Sequence, residues 1–123
     1  MKNKEDSFLV DRFKSLGYAF KGMWILLSSE NSIKAQTFIA LCMTVLGFVM
    51  EISNTEWILQ IFAIGLVITT EALNTAIEKV ANFVQPDFDK RIGEIKDIAA
   101  GAVAFASLVA IGIGLIIYIP KFI

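Results

Sequence analysis

Three long apolar stretches set the limits on what this chain can fold into. The spans that they predict cover about residues 35–52, 57–83 and 97–119. Each matches the roughly 20 residues needed to cross a bilayer core about 30 Å thick. Apolar residues make up 56% of the chain and charged residues 19%, which is unusual for a soluble domain. We therefore expect a single all-α membrane domain over residues 1–123. A soluble three-helix bundle would instead carry a full-length polar stripe on each helix.

The segment before the first span has a different pattern. In residues 7–29, apolar side chains recur at spacings of three and four, and polar side chains occupy another face. This periodicity predicts an amphipathic helix lying on the membrane surface, with a helix packed on a partner protein as the alternative. Pro86 and many charges in residues 85–97 predict a loop with a short surface helix.

Basic residues predict the orientation of the spans. The segment before the first span is rich in Lys and Arg, the 79–97 segment carries four more, and the connector between the first two spans has none. The residues counted are Lys2, Lys4, Arg12, Lys14, Lys21 and Lys34, then Lys79, Lys90, Arg91 and Lys96. Because cytoplasmic loops are enriched in such residues, the N-terminus and the 79–97 loop should face the cytoplasm.

Several kinds of chemistry are excluded by composition. The chain has no histidine, so His general bases and His-based zinc sites are impossible. Its single cysteine, Cys42, lies in an apolar run and is expected to be a buried small hydrophobe rather than a reactive thiol. A net charge of −1 without a long basic run argues against a nucleic-acid partner. Acid–base or metal chemistry is left chiefly to carboxylates.

Polar residues follow the second apolar run in the segment TTEALNTAIEKV, residues 69–80. On a helix, Glu71, Asn74 and Glu78 share one face, because they are spaced i, i+3 and i+7. The two carboxylates are about 10.5 Å apart along the axis. That distance is too long for both to bind one metal ion easily, so two different roles are expected.

The depth of each carboxylate indicates its role. If Trp57 marks the outer boundary, Glu71 lies about 21 Å into a core of about 30 Å. A carboxylate inside the hydrocarbon is costly and indicates function, here a general base. Glu78, near the cytoplasmic edge, suits Mg²⁺. The alternatives are a hydrogen-bonded packing residue for Glu71 and an exposed helix-end charge for Glu78.

Small residues repeat every four positions in the third span, at Ala102, Ala106, Ala110 and Gly114. Such faces let helices approach closely in lipid. Since three spans enclose a polar site poorly, we expect a homo-oligomer. The alternative is that these residues only fill a contact within the chain.

Four motifs carry a resemblance to a known family. EALNTAIE at 71–78, KDIAAGAV at 96–103, GYAFKG at 17–22 and SSEN at 28–31 resemble the prokaryotic diacylglycerol kinase and undecaprenol kinase family. The resemblance covers nearly the whole chain, including the plan of a surface helix and three spans. The chain has neither a P-loop nor a protein-kinase motif. The resemblance implies this absence, because the family binds ATP without either fold.

The resemblance implies an activity and an assembly. It implies ATP-dependent phosphorylation of a membrane lipid alcohol with Mg²⁺, giving phosphatidic acid from diacylglycerol or undecaprenyl phosphate from undecaprenol. It also implies a homotrimer in the bacterial inner membrane, with cytoplasmic sites between protomers. The segment GLIIYIPK at 114–121 looks more like the undecaprenol kinase branch.

The resemblance also implies residue roles. Glu71 matches the general base and also faces the lipid substrate, and Glu30 and Glu78 match carboxylates that bind Mg²⁺. The positions matching nucleotide contacts are Tyr18, Glu30, Asn74, Glu78, Asp87, Asp89, Lys96 and Asp97. Gln36 and Arg12 are the further candidates for substrate binding.

Three positions depart from the family pattern. Asp11 stands where an Arg is frequent, with Arg12 one residue later. Gln36 replaces a second acid found in some members, and Asp89 replaces a common histidine.

Simpler roles stand beside these assignments. Lys96 could be an ordinary interfacial lysine, Asp97 the N-cap of the third span, Glu30 a solvated turn residue and Tyr18 an interface anchor.

Two other functions fit part of the sequence. A small membrane transporter could use Glu71 to couple to a cation or proton, but small drug/proton exchangers usually have four spans and do not need Glu30, Glu78, Lys96 and Asp97 at one face. A non-catalytic assembly subunit would leave Glu71 without a role.

Overall fold

The computed structural model describes residues 7–123, and these form four α-helices without a strand. The helices are α1 (Phe8–Ser29), α2 (Asn31–Val49), α3 (Asn54–Val84) and α4 (Lys90–Phe122). By length and composition, α2, α3 and α4 could each cross a membrane. The prediction of an all-helical chain with three spans is confirmed for these residues. Lys2 and Lys4, which entered the orientation argument, lie outside them.

Polar side chains determine where α3 and α4 begin. At the start of α3, the Ser53 hydroxyl accepts from the Glu56 N–H at 3.2 Å, and the Glu56 carboxylate accepts from the Ser53 N–H at 2.9 Å. This reciprocal pair is a capping box. At the start of α4, Asp89 accepts from the Arg91 N–H at 2.8 Å, so Asp89 is the N-cap.

The start of α4 corrects two expectations. The predicted short surface helix within 85–97 is not a separate element of the described chain, because residues from Lys90 onward continue directly into α4. Asp97 is therefore inside the helix and does not cap it. The reason is that the cap, Asp89, lies eight residues before Asp97, and Lys, Arg and Glu among the residues that follow are good helix formers.

The turn between α2 and α3 is short and closely packed. The Ile52 N–H donates to the Gly47 carbonyl at 3.2 Å and the Glu51 N–H to the Phe48 carbonyl at 3.3 Å, as in a Schellman motif. Glu51 has the left-handed conformation, with φ 51°. A Cβ on Gly47 would lie only 2.7 Å from the Trp57 ring, so glycine is what allows the two helices to approach there.

Packing among the spans is uneven. α4 packs most extensively on α3, α2 contacts α3 less, and α1 packs chiefly on α2. At the end of the bundle near the α2–α3 turn, Gln60 links all three spans: its amide N–H₂ donates to the Met43 carbonyl at 3.0 Å, and its carbonyl accepts from the Tyr118 hydroxyl at 2.5 Å. Lys121 pairs with Glu56 at 3.1 Å.

Two surface features bear on the sequence predictions. Within the described chain no residue of α1 is buried, and its aromatic side chains Phe8, Phe13 and Trp24 are exposed. Cys42 is also exposed, so the expectation of a buried thiol is wrong. Because α2 contacts little besides one side of α3, most of its surface, including Cys42, faces away from the rest of the chain.

The small residues of α4 do not share one environment. Ala106 is buried, whereas Ala102 is exposed. Ala110 and Gly114 line a cavity between the three spans. Part of this stripe therefore serves contacts within the chain, which was the alternative to an oligomer face.

Candidate active site

Glu71 lies on the buried face of α3. Its exposed fraction is 8%, and Thr75, one turn further on, is 5% exposed. The other buried residues of this helix, such as Val67 and Ala81, follow the same helical spacing. Since α3 packs most extensively on α4, the Glu71 carboxylate is held inside the protein and not in open solvent.

Asn74 and Glu78 form the next polar group along α3. The Asn74 amide donates to the Glu78 carboxylate at 3.3 Å, and Glu78 is half-buried. The side-chain oxygen of Asn74, Oδ1, is buried and has no hydrogen-bond partner among the described residues. This arrangement leaves an unused oxygen acceptor beside an acid, which is costly unless another group binds there.

Glu30 approaches the same end of α3 from the junction of α1 and α2. Its Oε1 atom lies 3.4 Å from Lys79 Nζ, and Lys79 directly follows Glu78. Glu30 itself is the one non-helical residue between α1 and α2. The single-residue junction between these helices thus brings a second carboxylate to the Glu78 end of α3.

Lys96 connects α3 and α4, the helices on either side of the 85–89 linker. Its Nζ donates to the Asn82 side-chain oxygen at 2.6 Å. Asn82 is four residues beyond Glu78, one turn along the same face. Lys96 on α4 is therefore placed one turn from the carboxylate group, where a cation can meet an anionic ligand.

Three acids were also assigned to nucleotide binding. Asp89 is the α4 N-cap, and hydrogen bonds from the Arg91 side chain and backbone lower its pKa. Asp87 is exposed within the linker, and Asp97 is exposed on the second turn of α4. All three lie close in sequence to Lys96, at the start of α4. Asp89 also caps α4, a role that the sequence analysis considered for Asp97.

Two further candidates, Arg12 and Tyr18, lie on α1. The Arg12 guanidinium carbon is 5.6 Å from the centre of the Phe8 ring, and Arg12 and Tyr18 are both exposed.

A cavity of about 480 Å³ lies between α2, α3 and α4. Its lining is mostly aliphatic, with Gln36 from α2 and Gln60 and Tyr118 among its few polar residues. Val67 lines it and is one turn before Glu71. The cavity therefore provides an apolar space that reaches to within one turn of the buried carboxylate.

The groups near Glu78 fit Mg²⁺. Glu30, Glu78 and Asn74 carry oxygen atoms, the ligands that Mg²⁺ prefers, and the Asn74 Oδ1 atom has no hydrogen-bond partner among the described residues. In residues 7–123, no cluster of three Asp, Glu or Cys side chains forms a complete metal cage. Mg²⁺ in phosphate-transferring enzymes is usually bound by one or two carboxylates together with substrate phosphates.

The sequence analysis assigned no role at this site to three further residues. Thr75 is buried one turn from Glu71, Lys79 pairs with Glu30 and Asn82 accepts from Lys96. Thr75 could have been found from its helical spacing. The partners of Lys79 and Asn82 come from distant parts of the chain, and periodicity carries no information on them.

Comparison with known proteins identifies the family. The profile of the prokaryotic diacylglycerol kinase family matches residues 17–118. An undecaprenol kinase from Bacillus subtilis (strain 168) is 33% identical over 109 residues, covering 89% of each chain. A diacylglycerol kinase from Escherichia coli (strain K12) is 28% identical over 98 residues, covering 80% of each chain. A diacylglycerol kinase from Haemophilus influenzae is 28% identical over 105 residues, covering 85% of this chain and 88% of the relative.

These matches decide among the functions left open by the sequence. They favour a phosphotransferase with an alcohol acceptor over a transporter, and kinase membership implies ATP-dependent phosphoryl transfer. Three helices able to span a membrane agree with a multi-pass membrane enzyme. The chain is a lipid kinase and belongs to the prokaryotic diacylglycerol kinase family.

Proposed function

We propose that this lipid kinase phosphorylates undecaprenol in preference to diacylglycerol, with Glu71 as the general base. The observation that carries the catalytic part is a buried carboxylate on a span, two turns before Glu78 and three turns before Asn82, the residue that binds Lys96. Support for the lipid comes from the undecaprenol kinase relative, which matches at 33% identity over 89% of the chain, against 28% over 80% for the Escherichia coli diacylglycerol kinase.

Each end of the site has its own task. The apolar cavity receives part of the lipid chain, and the lipid hydroxyl meets Glu71 one turn beyond Val67. The carboxylate takes the hydroxyl proton as the lipid oxygen attacks the γ-phosphorus of ATP. The bond from that phosphorus to the bridging oxygen breaks, and ADP leaves. Gln36, which lines the cavity, and Arg12 on α1 are the further residues proposed to contact the lipid.

The nucleotide is proposed to lie at the Glu78–Lys96 end. Phosphate charge is met there by Lys96, which acts as a point charge, and by Asn74. Tyr18, Asp87, Asp89 and Asp97 complete the proposed nucleotide contacts. Glu30 and Glu78 would hold Mg²⁺, which neutralises phosphate charge when bound.

The active site is proposed to face the cytoplasm of the bacterial inner membrane, with α1 as an amphipathic helix on the membrane surface. The basic residues at the ends of α1, α3 and α4 support this orientation by the positive-inside rule. The apolar residues exposed along α1 support contact with lipid.

A homotrimer is proposed as the working assembly. Glu78 and Asn74 are only partly buried in a single chain, and the cavity is open between loosely packed spans, so a neighbouring protomer is expected to complete the enclosure. Light scattering of the purified protein in detergent, corrected for detergent mass, should give three chains of 13.6 kDa per particle. A particle of one or two chains would contradict the trimer.

The substrate proposal is tested by competition. Purified enzyme in mixed micelles with equal amounts of undecaprenol and diacylglycerol should transfer the γ-phosphate of labelled ATP mainly to undecaprenol, by about tenfold in kcat/KM, a difference of about 1.4 kcal/mol. In sealed inverted vesicles, external ATP should be used, whereas right-side-out vesicles should not use it. Equal or reversed lipid preference would overturn the choice of lipid but not the kinase activity.

A further inference from the structure

Lys79 has no role in the reaction described so far. It follows Glu78 directly, and its ammonium group lies 3.4 Å from the Glu30 carboxylate. The residue therefore connects the two acids that are proposed to hold the metal, being the sequence neighbour of one and the ion-pair partner of the other.

The Glu30 side chain is turned toward α3 and not toward its own helix. Glu30 is the N-cap residue of α2, a position whose side chain commonly accepts from the first turn. Its carboxylate makes no such hydrogen bond in the described structure and pairs with Lys79 instead. The pair places the Lys79 ammonium group 3.4 Å from one carboxylate oxygen, Oε1. A metal ion bound by Glu30 would therefore lie close to this ammonium group and repel it.

The geometry of the pair suits such an exchange. The Lys79 side chain is 64% exposed and the Glu30 side chain 24% exposed, and ion pairs this accessible contribute little to folding. Breaking the pair therefore costs little. Asn82, which binds Lys96, is three residues from Lys79 and so lies on a neighbouring part of the same α3 surface. The two lysines are thus available to one ligand.

We propose that Lys79 is a second phosphate-binding cation, held on Glu30 until the metal–nucleotide complex binds. On binding, the Glu30 carboxylate exchanges the ammonium group for the metal ion, and the released Lys79 ammonium binds a phosphate oxygen of the nucleotide. This inference rests on the proposed function, since it assumes that Glu30 and Glu78 hold Mg²⁺. It predicts that removing the Lys79 charge has opposite effects on the metal alone and on the nucleotide.

The test uses the full-length protein in detergent with Lys79→Met, Lys79→Arg and, as a matched control, Lys90→Met at an exposed position of α4. Binding of Mn²⁺ alone is followed by electron paramagnetic resonance, and binding of a non-hydrolysable ATP analogue with Mg²⁺ by calorimetry. Lys79→Met should bind Mn²⁺ on the order of threefold more tightly, because a competing cation is gone. It should bind the analogue about tenfold more weakly, since a charged hydrogen bond is lost. Lys79→Arg should keep the affinity for the analogue close to that of the parent protein, and Lys90→Met should change neither affinity.

A purely structural role for the ion pair gives a different result. If Lys79 only holds Glu30 against α3, Lys79→Met should weaken Mn²⁺ and analogue binding together, and that outcome would overturn the proposal. Unchanged affinities in Lys79→Met would also overturn it, while normal analogue binding by the parent protein would leave the proposed function intact. If the parent protein binds neither ligand, both this proposal and the proposed nucleotide site fail.

Discussion

Replacing Glu71 by Gln should lower kcat for lipid phosphorylation by about 10²-fold or more, the range expected when a general base is lost. The substitution keeps the size of the side chain and its ability to hydrogen-bond, so the fold should be retained. Glu71 is on the buried face of α3, 8% exposed, and lies two turns before Glu78. The dissociation constant of an ATP analogue should therefore stay within about twofold of the parent value, because the residues proposed to bind the phosphates and the metal are unchanged.

The control for this experiment is Glu94→Gln, which makes the same chemical change at an exposed position of α4. It should leave kcat near the parent value. Steady-state assays at saturating lipid separate kcat from KM, and calorimetry reports nucleotide affinity. If Glu71→Gln turns over at a near-normal rate, Glu71 is not the general base. Glu71 is then a buried residue whose role is in helix packing.

The position of Glu71 was within reach of sequence reasoning for a physical reason. Helical spacing alone places Glu71, Asn74 and Glu78 on neighbouring parts of one face, and the structure gives the Asn74–Glu78 hydrogen bond that this spacing allows. The existence of three spans followed as directly from three apolar runs. Local regularities of this kind depend on a few neighbouring residues, which the sequence displays in order.

Features that depend on distant residues were not predictable in this way. The Glu30–Lys79 pair joins the α1–α2 junction to α3, and the Lys96–Asn82 hydrogen bond joins α4 to α3. Neither is visible in periodicity. The start of α4 was misplaced for another reason: hydropathy marks where a helix becomes apolar, whereas the cap at Asp89 decides where it begins. The exposure of Cys42 depended on how closely α2 packs, which an apolar run does not reveal.

Removing Glu78 should have the second large effect, this time on the metal. Glu78→Ala is expected to raise the Mg²⁺ concentration for half-maximal activity by about tenfold or more, since a hard oxygen ligand is lost. Glu30→Ala should act in the same direction with a smaller effect. Glu78 is the more severe case because its loss also removes the acceptor of the Asn74 amide, whose carbonyl oxygen already has no partner in the described structure.

Raising Mg²⁺ should partly restore activity in both variants by mass action, and titration of activity against Mg²⁺ at fixed ATP measures this. Glu78→Gln is a useful second variant, because an amide keeps an acceptor for Asn74 while removing the negative charge. It should show the same demand for Mg²⁺ with less disturbance of α3. Glu94→Ala, the matched loss of an exposed carboxylate from α4, should leave the Mg²⁺ titration unchanged. If added Mg²⁺ rescues neither Glu30→Ala nor Glu78→Ala, these acids do not bind the metal, and the Asn74–Glu78 pair has a structural role in α3.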